Sequence, residues 1–169
     1  MYPSQERRDG DIDELAASDD RAELRNRLLA STTVLADAIA AVPPDAWATE
    51  IERVPGGPTF PAAAVPDMRL REVEIHHADL GAGYTAHDWP ADFRAILLES
   101  MTKRPYPAPF DVRPTDLDHT WHYGPSSEQG HGGPVVTGTS AALGWWLTGR
   151  GSGEGLTSDS NELPEVETW

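Results

Sequence analysis

The sequence predicts an α+β chain, with helices over residues 1–104 and a small mixed α/β part over 105–169. Three observations predict it. Apolar residues up to Lys103 recur at three- and four-residue steps, the period of an amphipathic helix. Pro105, Pro107 and Pro109 then break the chain as a linker. Beyond them come short β-branched and aromatic runs between Gly, Pro and Ser, followed by a Trp-rich helical stretch.

Residues up to about Asp19 are polar and acidic, with Ile12 and Leu15 the only sizeable aliphatics after the start, so this stretch reads as an irregular lead-in or a short helix. Ser18, Asp19 and Asp20 offer N-caps for a long helix over Arg21 to Val42. Its apolar positions are Leu24, Leu28, Leu35, Ala38, Ile39 and Val42, and Pro43-Pro44 ends it. Asp45 to Pro61 suits short strands broken by Pro55-Gly-Gly-Pro58. A second helix runs from about Ala62 to Leu80, with Pro66 confined to its first turn, and Gly81-Ala-Gly83 stops it. Asp88 is positioned to cap a third, through Phe93, Ile96, Leu97 and Met101 to Lys103. Phe110–Arg113, His119–Tyr123 and Val135-Val136 read as strands, Thr137–Thr148 as a helix, and the acidic tail to Trp169 as loop.

The formal charge, 13 − 28 = −15, argues against nucleic acid or an anionic membrane as partner. An anionic substrate then needs a specific basic residue. No run approaches the ~18 apolar residues of a membrane span. The start, Met1-Tyr-Pro-Ser-Gln-Glu-Arg-Arg-Asp, has no apolar signal core, which makes the cytoplasm the expected location. The absence of cysteine excludes disulfides, thiolate metal ligands and a protein thiol nucleophile. Any thiol chemistry here uses a borrowed thiol.

The informative run is Met68-Arg-Leu-Arg-Glu72-Val-Glu74-Ile-His76-His77-Ala-Asp79-Leu80. Glu72 and His76 are four apart, on one helix face and about 6 Å apart along the axis. A carboxylate and an imidazole so placed can share one divalent ion, and zinc suits such N/O ligation. The same pair can instead form a hydrogen bond on a solvated face. Leu70, Val73, His77 and Leu80 suggest a core stripe that turns Glu72 and His76 inward or along its edge. Asp79, one turn on, reads as an outer partner or a cap, and His77 as a packed histidine. Two ligands do not make a tight site.

Arg71-Glu72-Val-Glu-Ile-His76-His77-Ala-Asp79-Leu80-Gly-Ala-Gly-Tyr84, followed by Asp88-Trp-Pro90, resembles the mycothiol-dependent maleylpyruvate isomerase family. The start, Met1-Tyr-Pro-Ser-Gln-Glu, resembles a stretch inside that family, between its second and third bundle helices. Gly138 to Arg150 with Trp145-Trp146-Leu-Thr-Gly-Arg150, then Leu163-Pro and Trp169, is similar to its small C-terminal domain. The resemblance implies a DinB-like four-helix bundle, here partial, followed by an α/β domain. It implies a divalent metal, typically zinc, held by two histidines and a glutamate, and carries the glutamate to Glu72 and one histidine to His76. The second histidine belongs to the family's first helices, which nothing here matches. His87, His119, His122 and His131 do not fit it. The expectation is a chain lacking those helices, through a misplaced start codon or real truncation.

The family's chemistry is cis-trans isomerisation of maleylpyruvate to fumarylpyruvate, a step of aromatic degradation. Mycothiol adds its thiolate to the cis double bond, rotation follows, and the thiolate leaves. Arg150 matches the arginine that the family uses near the dianionic substrate, while a C-terminal helix arginine answering the dipole is the plainer reading. The resemblance thus implies an isomerase using metal and mycothiol, impaired in this chain. Alternatives are a mycothiol S-transferase on the same scaffold, or a non-catalytic remnant or binding protein. Self-association through an exposed bundle face of Leu28, Leu35 and Ile39 is expected as well.

Overall fold

The computed structural model describes residues 2–18, 20–125 and 133–167; Met1, Asp19, His131 and Trp169 lie outside them. The chain divides into two compact units, Met1–Pro66 and Asp67–Trp169. The α+β expectation is borne out.

In the first unit, the polar lead-in is a helix, α1 (Gln5–Ala16), because the Ser4 hydroxyl accepts from the Arg7 N–H at 3.1 Å and closes its first turn. The long helix α2 (Arg21–Ala40) starts under Asp20, whose carboxylate accepts from Glu23 N–H at 3.0 Å. Neither helix buries a residue fully, and Leu28, Leu29 and Val34 are 58%, 49% and 68% exposed. Strands β1 (Glu50–Glu52) and β2 (Thr59–Pro61) pair antiparallel, with Ile51 opposite Phe60. They stay short because Pro55 and Pro58 have no N–H to donate. The turn closes when Glu52 accepts from the Gly56 N–H at 2.9 Å, with Gly56 at φ +78°.

The second unit takes most of α3 (Ala64–Asp79), then α4 (Ala91–Met101) and α5 (Ser140–Leu147). Its sheet has the order β4-β3-β5-β6, from β3 (Phe110–Pro114), β4 (Trp121–Tyr123), β5 (Val135–Gly138) and β6 (Thr157–Ser158). Strand β3 runs antiparallel to β4 and parallel to β5, and β6 returns antiparallel on β5. One core unites Ile75, Trp89, Phe93, Leu97, Phe110, Val112, Tyr123, Val136, Leu143 and Trp146. Gly144 lets α5 approach α4: a Cβ there would lie 3.0 Å from Leu97 Cδ2 and 3.3 Å from the Trp89 ring.

Three expectations change. Asp88 does not cap α4; it folds back on a short 3-10 turn, Ala86–Asp88, accepting from the Thr85 N–H at 2.8 Å and the Thr85 hydroxyl at 2.9 Å. Helix α5 begins at Ser140 under Thr139, because Thr137 is held in β5 opposite Thr157. The tail contributes β6 rather than loop alone.

Asp116 ties these elements together. It accepts from the Ser140 N–H at 2.7 Å and hydroxyl at 2.8 Å, and from Arg94 of α4 at 2.9 Å. Burial raises its carboxyl, but the Ser140 hydrogen bonds and the Arg94 charge outweigh this and hold it below the usual carboxylate range. A depressed carboxyl stabilises the fold above its unfolded pKa of ~3.9 and loses that contribution as pH falls through the folded value. Asp116→Ala is therefore expected to cost about 2 kcal/mol at neutral pH. Urea unfolding from pH 7 to 3 checks this, with the two proteins converging at the acid end.

Candidate functional site

The face of α3 that carries Glu72, His76 and Asp79 is set by what the opposite face buries. Ile75 is fully buried, with Leu70 and Ala78 packed around it. The Trp89 indole donates to the Glu74 carbonyl at 3.0 Å, and the Tyr84 hydroxyl donates to the Glu74 carboxylate. Val73 and Leu80, expected in the core stripe, are 43% and 75% exposed. Glu72 and His76 accordingly face outward, with side chains 54% and 56% exposed. His77 is exposed too and stacks on Tyr84, ring centroids 4.0 Å apart. Burial, then the hydrogen bond to Glu74, pushes the Tyr84 hydroxyl up to about 12, so it remains a donor at neutral pH.

Along that face three side chains meet. His76 Nε2 stands 3.4 Å from Glu72 Oε2, and its Nδ1 lies 2.8 Å from Asp79 Oδ2. Arg150, in the turn after α5, reaches the same carboxylate from 71 residues away: Nε donates to Asp79 Oδ1 at 2.7 Å and Nη2 to Oδ2 at 2.8 Å. Its Nη1 donates to the Thr148 carbonyl at 3.2 Å, and the guanidinium sits 5.8 Å from the Trp145 ring centroid. The hydrogen bonds from Arg150, with a smaller contribution from His76, outweigh burial and hold the Asp79 carboxyl below the usual range. The three residues singled out in the sequence, Glu72, His76 and Arg150, thus fall into one chain of contacts through Asp79.

Arg150 also lines a cavity of about 470 Å³ in the second unit. Its wall is largely apolar, from Ala78, Tyr84, Ala86 and Trp145, with His87 and Glu154 as polar members. That size is in the range of a small-ligand site. The two tryptophans divide their work. Both line the cavity, but Trp146 is also core at 6% exposure, whereas Trp145 is only partly buried against that core. Glu154 lies outside every motif of the sequence, since lining a cavity requires only proximity, whereas Tyr84 closes the run from Arg71. His119 packs edge-on against Trp121, and His122 pairs with Asp111 on the β3–β4 ladder.

Two residue-matched comparisons decide the family. Residues 1–81 match the mycothiol maleylpyruvate isomerase N-terminal domain, and residues 88–168 match the C-terminal domain of the same enzymes. A solved crystal structure of the mycothiol-dependent maleylpyruvate isomerase is similar over the whole chain, at 31% identity and TM-score 0.84. This chain belongs to the mycothiol-dependent maleylpyruvate isomerase family. It covers 69% of the length of that crystallised family member. A histidine-to-alanine mutant of the same isomerase matches equally well, again at 31% identity and 0.84. No curated protein matches.

The metal implied by the sequence resemblance can be tested against the residues present. Zinc bonds of about 2.0–2.1 Å at a tetrahedral angle place two ligand atoms roughly 3.4 Å apart. The Glu72–His76 separation of 3.4 Å meets that requirement. Asp79 on His76 Nδ1 supplies the outer carboxylate that ligating histidines usually have. Among the described residues, no group of three His, Asp or Glu side chains could hold an ion. The pair fits two corners of a site. No described helix is long and apolar enough to cross a membrane.

Proposed function

We propose that this chain works as a thiol-dependent cis-trans isomerase of maleylpyruvate type, with mycothiol as the imported thiol. The carrying observation is the convergence of His76 and Arg150 on Asp79, with Arg150 at the wall of the apolar cavity. On this reading residues 1–104 supply the metal-holding helix and residues 105–169 supply Arg150. Glu72 and His76 would hold a divalent metal, zinc by donor type, and when bound it would favour the thiolate and polarise the substrate.

The remaining steps rest on side chains. The thiolate adds to one olefinic carbon and the π electrons move toward the conjugated carbonyl. Rotation occurs about the resulting single bond. The double bond then re-forms as the C–S bond breaks, with no net proton or electron taken up. Arg150 holds a carboxylate of the dianion and offsets the charge that builds up on addition, which a guanidinium in a partly buried site does well. The apolar wall around Trp145 and Tyr84 limits water near the carbanionic intermediate. The same wall favours the alternative, mycothiol transfer to an apolar electrophile.

The assay follows maleylpyruvate conversion with and without mycothiol. Mycothiol-dependent formation of fumarylpyruvate supports the proposal, and turnover indifferent to mycothiol sinks it. Consumption of mycothiol in step with an electrophile selects the transferase. For the metal, the expected result is weak zinc that dialysis removes, weakened further by Glu72→Ala. Stoichiometric zinc that survives dialysis and depends on another histidine would overturn the two-ligand account.

A further inference from the structure

We propose that Asp79 is a positioning residue serving both ends of the site: it sets the tautomer of His76 and the plane of Arg150 with one carboxylate. This rests on the isomerase reading for its relevance to turnover, but its geometry stands by itself.

An ionised carboxylate only accepts. His76 Nδ1, at 2.8 Å from Asp79 Oδ2, must therefore carry a proton. In the neutral ring the lone pair is then on Nε2, the atom 3.4 Å from Glu72. Free imidazole prefers the opposite tautomer, with the proton on Nε2, where it would block a metal. His76 is more than half exposed, so packing does little to hold the ring. Asp79 does it by hydrogen bond, three residues along the same helix.

The second half concerns Arg150. Its side-on edge, Nε and Nη2, is taken by both Asp79 oxygens at 2.7 and 2.8 Å. A two-point contact fixes the guanidinium plane, whereas a single contact leaves it free to swivel. The Thr148 carbonyl on Nη1 adds a third point. An anionic ligand in the cavity thus meets a guanidinium whose orientation is already set, with little side-chain entropy left to lose. An ordinary structural ion pair, such as Arg94–Asp116 at 2.9 Å, would do none of this for a histidine.

The test uses the full chain and reads the tautomer directly. Nitrogen-15 NMR correlations of His76, assigned with His76→Gln, should show Nδ1–H in the wild type. Asp79→Ala should move the neutral ring to Nε2–H and weaken Co²⁺ binding by about 10–100-fold. Asp79→Asn keeps an acceptor but loses the charge and one carboxylate oxygen, and should fall between the two. Asp116→Ala, which breaks the comparison ion pair, should leave the His76 tautomer and Co²⁺ affinity as in the wild type. An unchanged His76 tautomer in Asp79→Ala, or equal effects of Asp79→Ala and Asp116→Ala, overturns the proposal. If the wild type takes up no Co²⁺ at all, the metal reading fails, and the tautomer shift still decides the role of Asp79.

Discussion

Trp89→Ala is expected to destabilise the second unit by about 3–5 kcal/mol, the usual cost of removing a large buried aromatic. Trp89 is 2% exposed and meets Phe93 edge-on, with ring centroids 5.4 Å apart. Its indole N–H satisfies the Glu74 carbonyl of α3, and its ring lies against Gly144 of α5. The substitution therefore opens a cavity where α3, α4 and α5 meet and removes the second hydrogen bond to a carbonyl that α3 already pairs within its own turn. Chemical denaturation followed by near-UV circular dichroism measures it. Trp89→Phe should recover most of the packing but not the hydrogen bond, leaving a deficit of about 1 kcal/mol. A Trp89→Ala protein as stable as the wild type would mean that α3, α4 and α5 are held together elsewhere.

The other large effect concerns turnover, and follows from the proposed roles. His76→Ala is expected to abolish mycothiol-dependent isomerisation, because it removes one of the two donors that fit a divalent ion. Arg150→Ala should leave zinc uptake nearly intact while lowering kcat/KM for the dianion by about 100-fold, equivalent to roughly 3 kcal/mol. The signature is selective. An uncharged, ester-blocked analogue should lose far less than the dianion on Arg150→Ala, since only the dianion uses the guanidinium. Equal losses for both substrates would point to collapse of the cavity wall at Trp145 rather than to a missing charge contact.

Much of the secondary structure could be read from residue order, because helix periodicity, caps and breakers act over only a few positions. Arg21–Ala40 follows its apolar spacing and starts at Asp20, and Ala64–Asp79 tolerates Pro66 in its first turn, as expected. The Glu72–His76 juxtaposition was also legible, since two side chains four apart on a helix meet whatever surrounds them. Which face of α3 is covered was not. The apolar residues Leu70, Val73, Ile75 and Leu80 spread around the helix, and the choice of Ile75 as the buried one depends on where Trp89 and Tyr84 return.

The same limit applies to β6 and to Asp79. Thr157 and Ser158 have no strand signal of their own; pairing with Val136 and Thr137 makes them a strand. Asp79 looked like a cap or an outer partner because its local neighbours offered nothing more. Its second partner, Arg150, is 71 positions away and arrives only when α5 packs against α4 through Gly144. Local chemistry is written in adjacent residues, but a carboxylate shared by a histidine and a distant arginine exists only once packing has closed that distance.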